Sequence, residues 1–176
     1  MIATLVDHVP FAVDAGIRVV ELGSADGQLS EALLGRFSRA TLLALETSEE
    51  MRRQTAARTA RFGDRIRVGP FDPAALDWWD VMRGADLIVS CLALNGLNDA
   101  KTQYLYKAAA ERMSERSALL IADAIVAAQP GASHASRLFH HLVWLKHAGF
   151  GTVDCFWRHG DGVVYGGLKW SAGAAA

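Results

Sequence analysis

Apolar residues fall in short, nearly unbroken blocks, and the segments between the blocks carry their apolar positions at helical spacing. Residues 17–22, 41–46, 66–68, 85–92 and 118–122 have the length and composition of strands buried on both faces. Helical patterns are predicted over 2–12, where Ile2, Leu5, Val6 and Val9 share a face, and from Gly27 to about Phe37. Further ones run from Ser48, with Glu50 and Met51 behind it, to about Arg61, then over 101–113 and 133–148. Alternating strands and helices imply a parallel sheet covered on both faces. The last blocks, 153–157 and 163–168, are separated by the turn His159-Gly160-Asp161-Gly162, which makes them an antiparallel hairpin. The expected fold class is therefore α/β: a doubly wound, mostly parallel seven-stranded sheet with a C-terminal antiparallel hairpin. Residues 1–170 are expected to form one domain and 171–176 a disordered tail.

Charge and composition narrow the function classes. The 176 residues are 51% hydrophobic and 21% charged, with a formal net charge of −1. That balance gives no electrostatic footprint for nucleic acid or an anionic membrane. Arg52, Arg53, Arg58, Arg61, Arg65 and Arg67 cluster, and are read as the wet face of a helix and its exit. Cys91 and Cys155 are too few for a disulfide framework and are expected to be small buried side chains. Asp7 and His8 stand where a signal peptide needs apolar residues, and Asp123 interrupts the longest apolar run. The expected location is the cytoplasm.

The chemistry concentrates at strand ends. In Val19-Val20-Glu21-Leu22-Gly23-Ser24-Ala25-Asp26-Gly27-Gln28 a buried strand ends in an acid, a small-residue loop follows, and a helix begins. Such units bring backbone N–H groups and a helix N-terminus to a bound cofactor, and the glycines let backbone approach it closely. Ala25 stands where a commoner loop has a middle glycine, and alanine disfavours positive φ. The second strand ends in Glu46, where a carboxylate can accept hydrogen bonds from both hydroxyls of a ribose; the alternative is a solvated strand-end acid.

The Glu-x-Gly-x-x-x-Gly form resembles the first motif of class I S-adenosylmethionine (SAM) dependent methyltransferases, small-molecule type. The resemblance runs in order over roughly residues 17–169. It implies a Rossmann-like methyltransferase fold, which carries such a terminal hairpin, and SAM as cofactor with S-adenosylhomocysteine (SAH) as product. It also implies that Glu21, Gly23, Ser24, Gly27, Glu46, Thr47, Met51, Phe71, Asp72, Ser90 and Leu92 bind that cofactor. In the segment from Thr47 an apolar side chain, here Met51, would lie against the adenine; an ordinary core methionine fits as well. Asp72 would bond the adenine amino group, although Asp-Pro is also a turn signal. Ser90 and Leu92 would border the methionine half and the methyl. Many relatives carry a large polar residue where Asn95 and Gly96 stand. The segment from Leu142 through Ala148-Gly149-Phe150, the hairpin, and Gly167-Leu168-Lys169 resemble the family's closing elements, which hold the sheet together.

Methyl transfer needs alignment and desolvation more than a base. The catalytic group is unassigned by sequence, with Asp123 and His141 as candidates for a base. Leu138, Leu142 and Leu145 form a buried stripe on the last helix, which puts His140, Trp144 and His147 on the opposite face and His141 at the stripe's edge. No second cluster completes a zinc site, so no metal is expected. An exposed Trp144 would instead mark a contact surface between the subunits of a homodimer, while Trp78 and Trp79 read as core. Only residues 124 to about 133 separate the fifth strand from that helix, where many relatives insert a lid, and the segment before the first strand is equally short. The leading expectation is a methyltransferase for a small-molecule acceptor; the alternative is a non-catalytic SAM-binding or interaction protein. An NAD-dependent dehydrogenase would need glycines at Ala25 and Gln28.

Overall fold

A computed structural model describes residues 1–72, 78–94, 96–125 and 134–170, so the expected tail lies outside the described residues. The strands are β1 (Arg18–Leu22), β2 (Thr41–Glu46), β3 (Ile66–Pro70), β4 (Leu87–Cys91), β5 (Ala118–Ala124), β6 (Thr152–His159) and β7 (Gly162–Leu168). They form one sheet in the order β3-β2-β1-β4-β5-β7-β6. All neighbours from β3 to β5 pair in parallel, while β7 runs antiparallel to both β5 and β6. The doubly wound sheet and its terminal hairpin are as expected.

Strand alternation divides the core into two layers. On one face Val19, Leu42, Ala44, Leu87, Val89 and Leu120 pack with α1 (Ile2–Asp7) and α2 (Gln28–Arg36), through Leu5, Leu29 and Leu33. On the other, Val20, Leu22, Ile88, Leu119 and Ile121 meet α4 (Asp99–Arg112) and α5 (His134–Ala148), through Leu105, Tyr106 and Leu145. Each fully buried aliphatic side chain contributes about 1.5–3 kcal/mol. The closing elements are coupled physically: a Cβ added at Gly167 would lie 2.6 Å from the Phe150 ring, so the bare glycine on β7 is what lets Phe150 settle.

Helix ends follow local chemistry. α3 (Glu49–Thr59) starts at Ser48, whose hydroxyl accepts the Met51 N–H at 3.3 Å, and two acids occupy its first turn. Asn98 caps α4 in the same way through Lys101 N–H at 2.9 Å. Three expectations need correction. α1 stops at Asp7 rather than running to residue 12, because Pro10 lacks an N–H and disfavours helix in the residue before it. Cys91 and Cys155 are half-buried, not buried, since both lie on strand positions that the helices leave partly open. Trp144 is not an exposed aromatic: it is half-buried against the α4–α5 side of the core, because a side chain this large reaches past the edge of the leucine stripe. Trp79 is buried as expected; nothing is described of the Trp78 side chain. Several arginines of the cluster are structural as well as wet. Arg65 donates to the carbonyls of Leu34 and Phe37 at the end of α2, and Arg58 pairs with Asp26 at 2.9 Å.

Candidate functional site

The sheet order places β1 between β2 and β4: the chain winds outward to β3 and then returns to the other side of β1 as β4. Ligands of open α/β sheets bind outside the carboxyl ends of the strands at such a switch point. A cavity of about 450 Å³ lies there, of a size common for small-molecule sites. Its wall includes Glu21 of β1, Gly23, Ser24 and Ala25 of the following loop, Glu46 and Thr47 at the end of β2, Phe71 beyond β3, and Leu92 and Ala93 beyond β4.

The loop is held by β2. Gly23 and Ser24 both donate their N–H to the Leu45 carbonyl, at 2.8 and 3.0 Å, and Gly27 donates to Ser24 at 2.8 Å. Ala25 donates to Glu46 Oε2 at 2.8 Å. All four N–H groups are therefore satisfied inside the protein, rather than offered to a ligand as the motif suggested. Gly23 has φ +77°, and a Cβ there would lie 2.1 Å from that of Ala93. Gly27 has φ +85°, and a Cβ on it would lie 2.9 Å from the α3 backbone at Thr55. The glycine spacing thus serves the approach of β4 and α3 to the loop, whose contribution to the cavity wall comes from Gly23, Ser24, Ala25 and Asp26.

Glu46 is buried, not wet. Its Oε1 accepts from Ser48 N–H at 2.9 Å and Thr47 Oγ1 at 3.0 Å, while Oε2 accepts from Ala25. A carboxylate offers about four lone-pair positions, so about one remains for a ligand. A diol that used both oxygens would have to displace the Thr47 hydroxyl, which is free to rotate.

Glu21 is fully buried in the cavity floor and accepts a hydrogen bond from the Ser30 hydroxyl. Burial pushes its carboxyl up to about 8; the Ser30 bond opposes this, while Glu46 and Asp26 add to it. The acid is accordingly neutral at pH 7.

Of the residues expected to bind a cofactor, Glu21, Gly23, Ser24, Glu46, Thr47, Phe71 and Leu92 meet in this wall. Gly27, Met51, Asp72 and Ser90 are not part of it. Met51 is half-buried in the first turn of α3, and Asp72 is exposed. Ser90 is fully buried, with its hydroxyl given to the Leu22 carbonyl at 2.9 Å, so it joins β4 to β1 beneath the cavity. Ile2, Ala25, Asp26, Gln28, Leu29, Cys91 and Ala93 also line the wall and were missed by sequence reasoning. Ala25, Asp26 and Gln28, inside the loop motif, and Cys91 and Ala93, flanking Leu92, carried a signal that could have found them; Ile2 and Leu29 did not. His141 turns inward: its Nδ1 meets the hydroxyls of Tyr106 at 2.7 Å and Tyr165 at 3.2 Å. Burial pulls its pKa down to about 4, and the ring sits in the core away from the residues of the cavity wall. Among the described residues, no three His, Cys, Asp or Glu side chains converge as metal ligands would. Nor, among the described residues, is any helix long and apolar enough to cross a membrane.

Solved structures share this arrangement. An O-methyltransferase family protein from Burkholderia thailandensis superposes with a TM-score of 0.75 at 16% identity, covering 97% of this chain and 55% of that one. The S-adenosylmethionine-dependent methyltransferase SibL, in its apo form, gives 0.72 at 16%, covering 96% and 54%. PigF with SAH gives 0.70 at 18%, covering 96% and 54%. The fold is that of the class I methyltransferases. This chain spans about half the length of those three proteins. No family model matches the sequence, and no curated protein matches it in sequence.

Proposed function

We propose that the protein is a SAM-dependent methyltransferase acting on a small-molecule acceptor. The observation that carries this reading is the state of the loop at the switch point. A pyrophosphate-binding loop must present free backbone N–H groups. Here those of Gly23, Ser24, Ala25 and Gly27 are turned to Leu45, Ser24 and Glu46. Such a loop suits a nucleoside without a pyrophosphate. Glu46 would take a ribose hydroxyl, the Phe71 side would border the base, and the wall near Glu21, Leu92 and Ala93 would hold the amino-acid portion. The cofactor supplies an activated methyl group; the residues of the chain orient it and exclude water. Ile2, Leu29, Leu92 and Ala93 make the wall partly apolar, which supports an organic acceptor of modest size.

Calorimetric titration of the full chain is expected to show one site for SAM and for SAH, and no binding of NAD or NADP. NAD binding tighter than SAM would overturn the proposal. One observation favours the non-catalytic alternative: only residues 125–133 stand between β5 and α5 to build a cover for an acceptor. Labelled methyl transfer to a panel of small hydroxyl, amine and thiol compounds separates the two readings.

A further inference from the structure

The cavity ends at β4, but the sheet edge continues. β5 lies beside β4 in parallel register, with Cys91 opposite Ala122, and the Leu92 N–H donates to the Ala122 carbonyl at 2.9 Å. The next residue, Asp123, therefore stands at the same carboxyl-end edge, about 5 Å further along the sheet. The strands run β2, β1, β4, β5 from the Glu46 end outward. If the ribose lies at β2 and the methyl near Leu92, an acceptor has to approach from the side of β5.

Asp123 differs from the other acids of this edge. Glu46 uses three of its positions on neighbours, and Glu21 is bonded by Ser30. Asp123 is 7% exposed, yet its sole hydrogen bond among the described residues is from the N–H of Ala124 to Oδ1, at 2.7 Å. Oδ2 has no partner among them. Oδ2 still touches solvent, so it can be reached, yet the burial around it makes the charged form costlier than a serine or asparagine capping the same N–H would be.

We propose that Asp123 is the catalytic base that receives the proton of the methyl acceptor, and that the acceptor reacts through a hydroxyl. The inference rests on the methyltransferase reading of the cavity. Amines shed their proton to water before reacting, and thiols ionise near neutral pH; a hydroxyl must lose its proton as it reacts. The hydroxyl oxygen forms the bond to the methyl carbon as the S–C bond breaks. The electron pair of that bond stays on sulfur and neutralises the sulfonium. The hydroxyl proton passes to Oδ2 of Asp123 and from there to water.

The surroundings suit a base at neutral pH. Burial pushes the Asp123 carboxyl up to about 6, against the Ala124 bond and the Arg137 guanidinium, which both lower it. Arg137 on α5 is also paired with Asp99 of α4 at 3.7 Å. Among the described residues, the other titratable groups facing Asp123 are Tyr106 on α4, Tyr165 on β7 and Cys91 on β4, all raised by burial and neutral at pH 7.

Two measurements test this on the full chain. With aspartate side-chain carboxyls labelled with ¹³C, the resonance lost in Asp123→Asn is expected to titrate near pH 6; titration below about pH 4.5, within the ordinary carboxylate range, overturns the proposal. With SAM as donor and 4-methylphenol and 4-nitrophenol as acceptors, Asp123→Asn is expected to slow methylation of 4-methylphenol at pH 7.5 by about a hundredfold or more. SAM affinity should stay within about twofold, and Asp123→Glu should restore part of the rate. The loss should be much smaller for 4-nitrophenol, which is largely ionised at that pH. Equal losses on both phenols indicate a structural role and overturn the assignment of a base. A wild-type chain that binds SAM but methylates neither phenol overturns the hydroxyl. Failure to bind SAM at all strikes the reading of the cavity instead, and is distinguishable by calorimetry alone.

Discussion

The two ends of the cavity are built on opposite terms. At the β1–β2 end nearly every polar group is spent within the protein. Glu46 accepts from three donors, Ser24 and Ala25 are tied to Thr55 by hydrogen bonds of 3.3 and 2.8 Å, and Arg58 holds Asp26. At the β4–β5 end Leu92 is half exposed with φ +58°, Cys91 is half-buried and Asp123 keeps an oxygen without a partner among the described residues. A leucine held in the left-handed region costs about 1–2 kcal/mol and persists only where its surroundings impose it. The first end is preorganised, so the proposed nucleoside would bind there without having to order the loop. Strain occurs at both ends, since Ala25 has φ +47°, but only the second keeps bonding capacity in reserve, which suits the end where chemistry would occur.

The harshest way to break this contrast is to disturb the contact that joins the two ends. Gly23→Val puts a branched side chain where Ala93 already sits, at a residue with φ +77°. Both the clash and the backbone conformation oppose it, so a loss of roughly 3 kcal/mol or more in stability is expected, with SAM binding abolished. Urea denaturation and calorimetry would read the two effects. Unchanged stability would mean that β4 gives way easily, and that the two ends are less firmly joined than the packing implies.

Glu46→Ala strikes the preorganised end alone. It removes the proposed partner of the ribose and also strands the N–H groups of Ala25 and Ser48. SAM affinity should fall about ten- to a hundredfold, equivalent to about 1.5–3 kcal/mol. Stability should drop as well, by about 1–2 kcal/mol, because the carboxylate is part of the loop's own scaffold. A variant that loses affinity with no loss of stability would show that the Glu46 bonds do not hold the loop.

Glu21 gives a pH test. Its folded-state pKa of about 8 lies above the ordinary 4.5, so it favours folding below about pH 4.5 and progressively less as pH rises through 8. Asp123 acts in the same sense, but only up to about pH 6. His141, held near 4 against an ordinary 6.5, acts oppositely and costs stability as pH falls from 6.5 towards 4. Between about pH 6.5 and 8 the Glu21 contribution therefore stands nearly alone. The empty protein should lose stability of order 2 kcal/mol over that window, and Glu21→Gln should flatten the slope while keeping the Ser30 bond. A slope that survives in Glu21→Gln would place the titrating group elsewhere.

The fold was legible because the central strands β1, β2, β4 and β5 are largely buried on both faces and read as apolar runs, and because the hairpin turn stands plainly between its strands; β3, expected to be buried as well, is a half-exposed edge strand. Glu46 was legible too, as an acid ending such a run. The use made of Glu46 was not, since its donors Ala25 and Ser48 come together only when β1 and β2 align. The same holds for Gly23, whose missing side chain makes room for Ala93 from a strand far along the chain. Ile2 enters the wall only because α1 folds back over the sheet. His141 sat on the boundary of the α5 stripe, where periodicity cannot decide. Two tyrosine hydroxyls, from α4 and β7, draw it inward.

The smallest expected effect sharpens the contrast most finely. Ala25 adopts φ +47°, a conformation that costs an alanine about 1–2 kcal/mol and a glycine almost nothing. Ala25→Gly relieves that strain but enlarges the freedom of the unfolded chain, which offsets about 0.4–1 kcal/mol of the gain. The net expectation is a stabilisation of under about 1 kcal/mol, with SAM affinity within about threefold of the parent. What holds this residue is its backbone: the N–H goes to Glu46 and the carbonyl accepts the Thr55 hydroxyl, and both bonds survive the change. If instead Ala25→Gly cost tenfold in affinity with no gain in stability, the alanine methyl would be part of the ligand's wall. The stiffness of the β1–β2 end would then depend on that side chain as well as on the hydrogen bonds that thread the loop to β2 and α3.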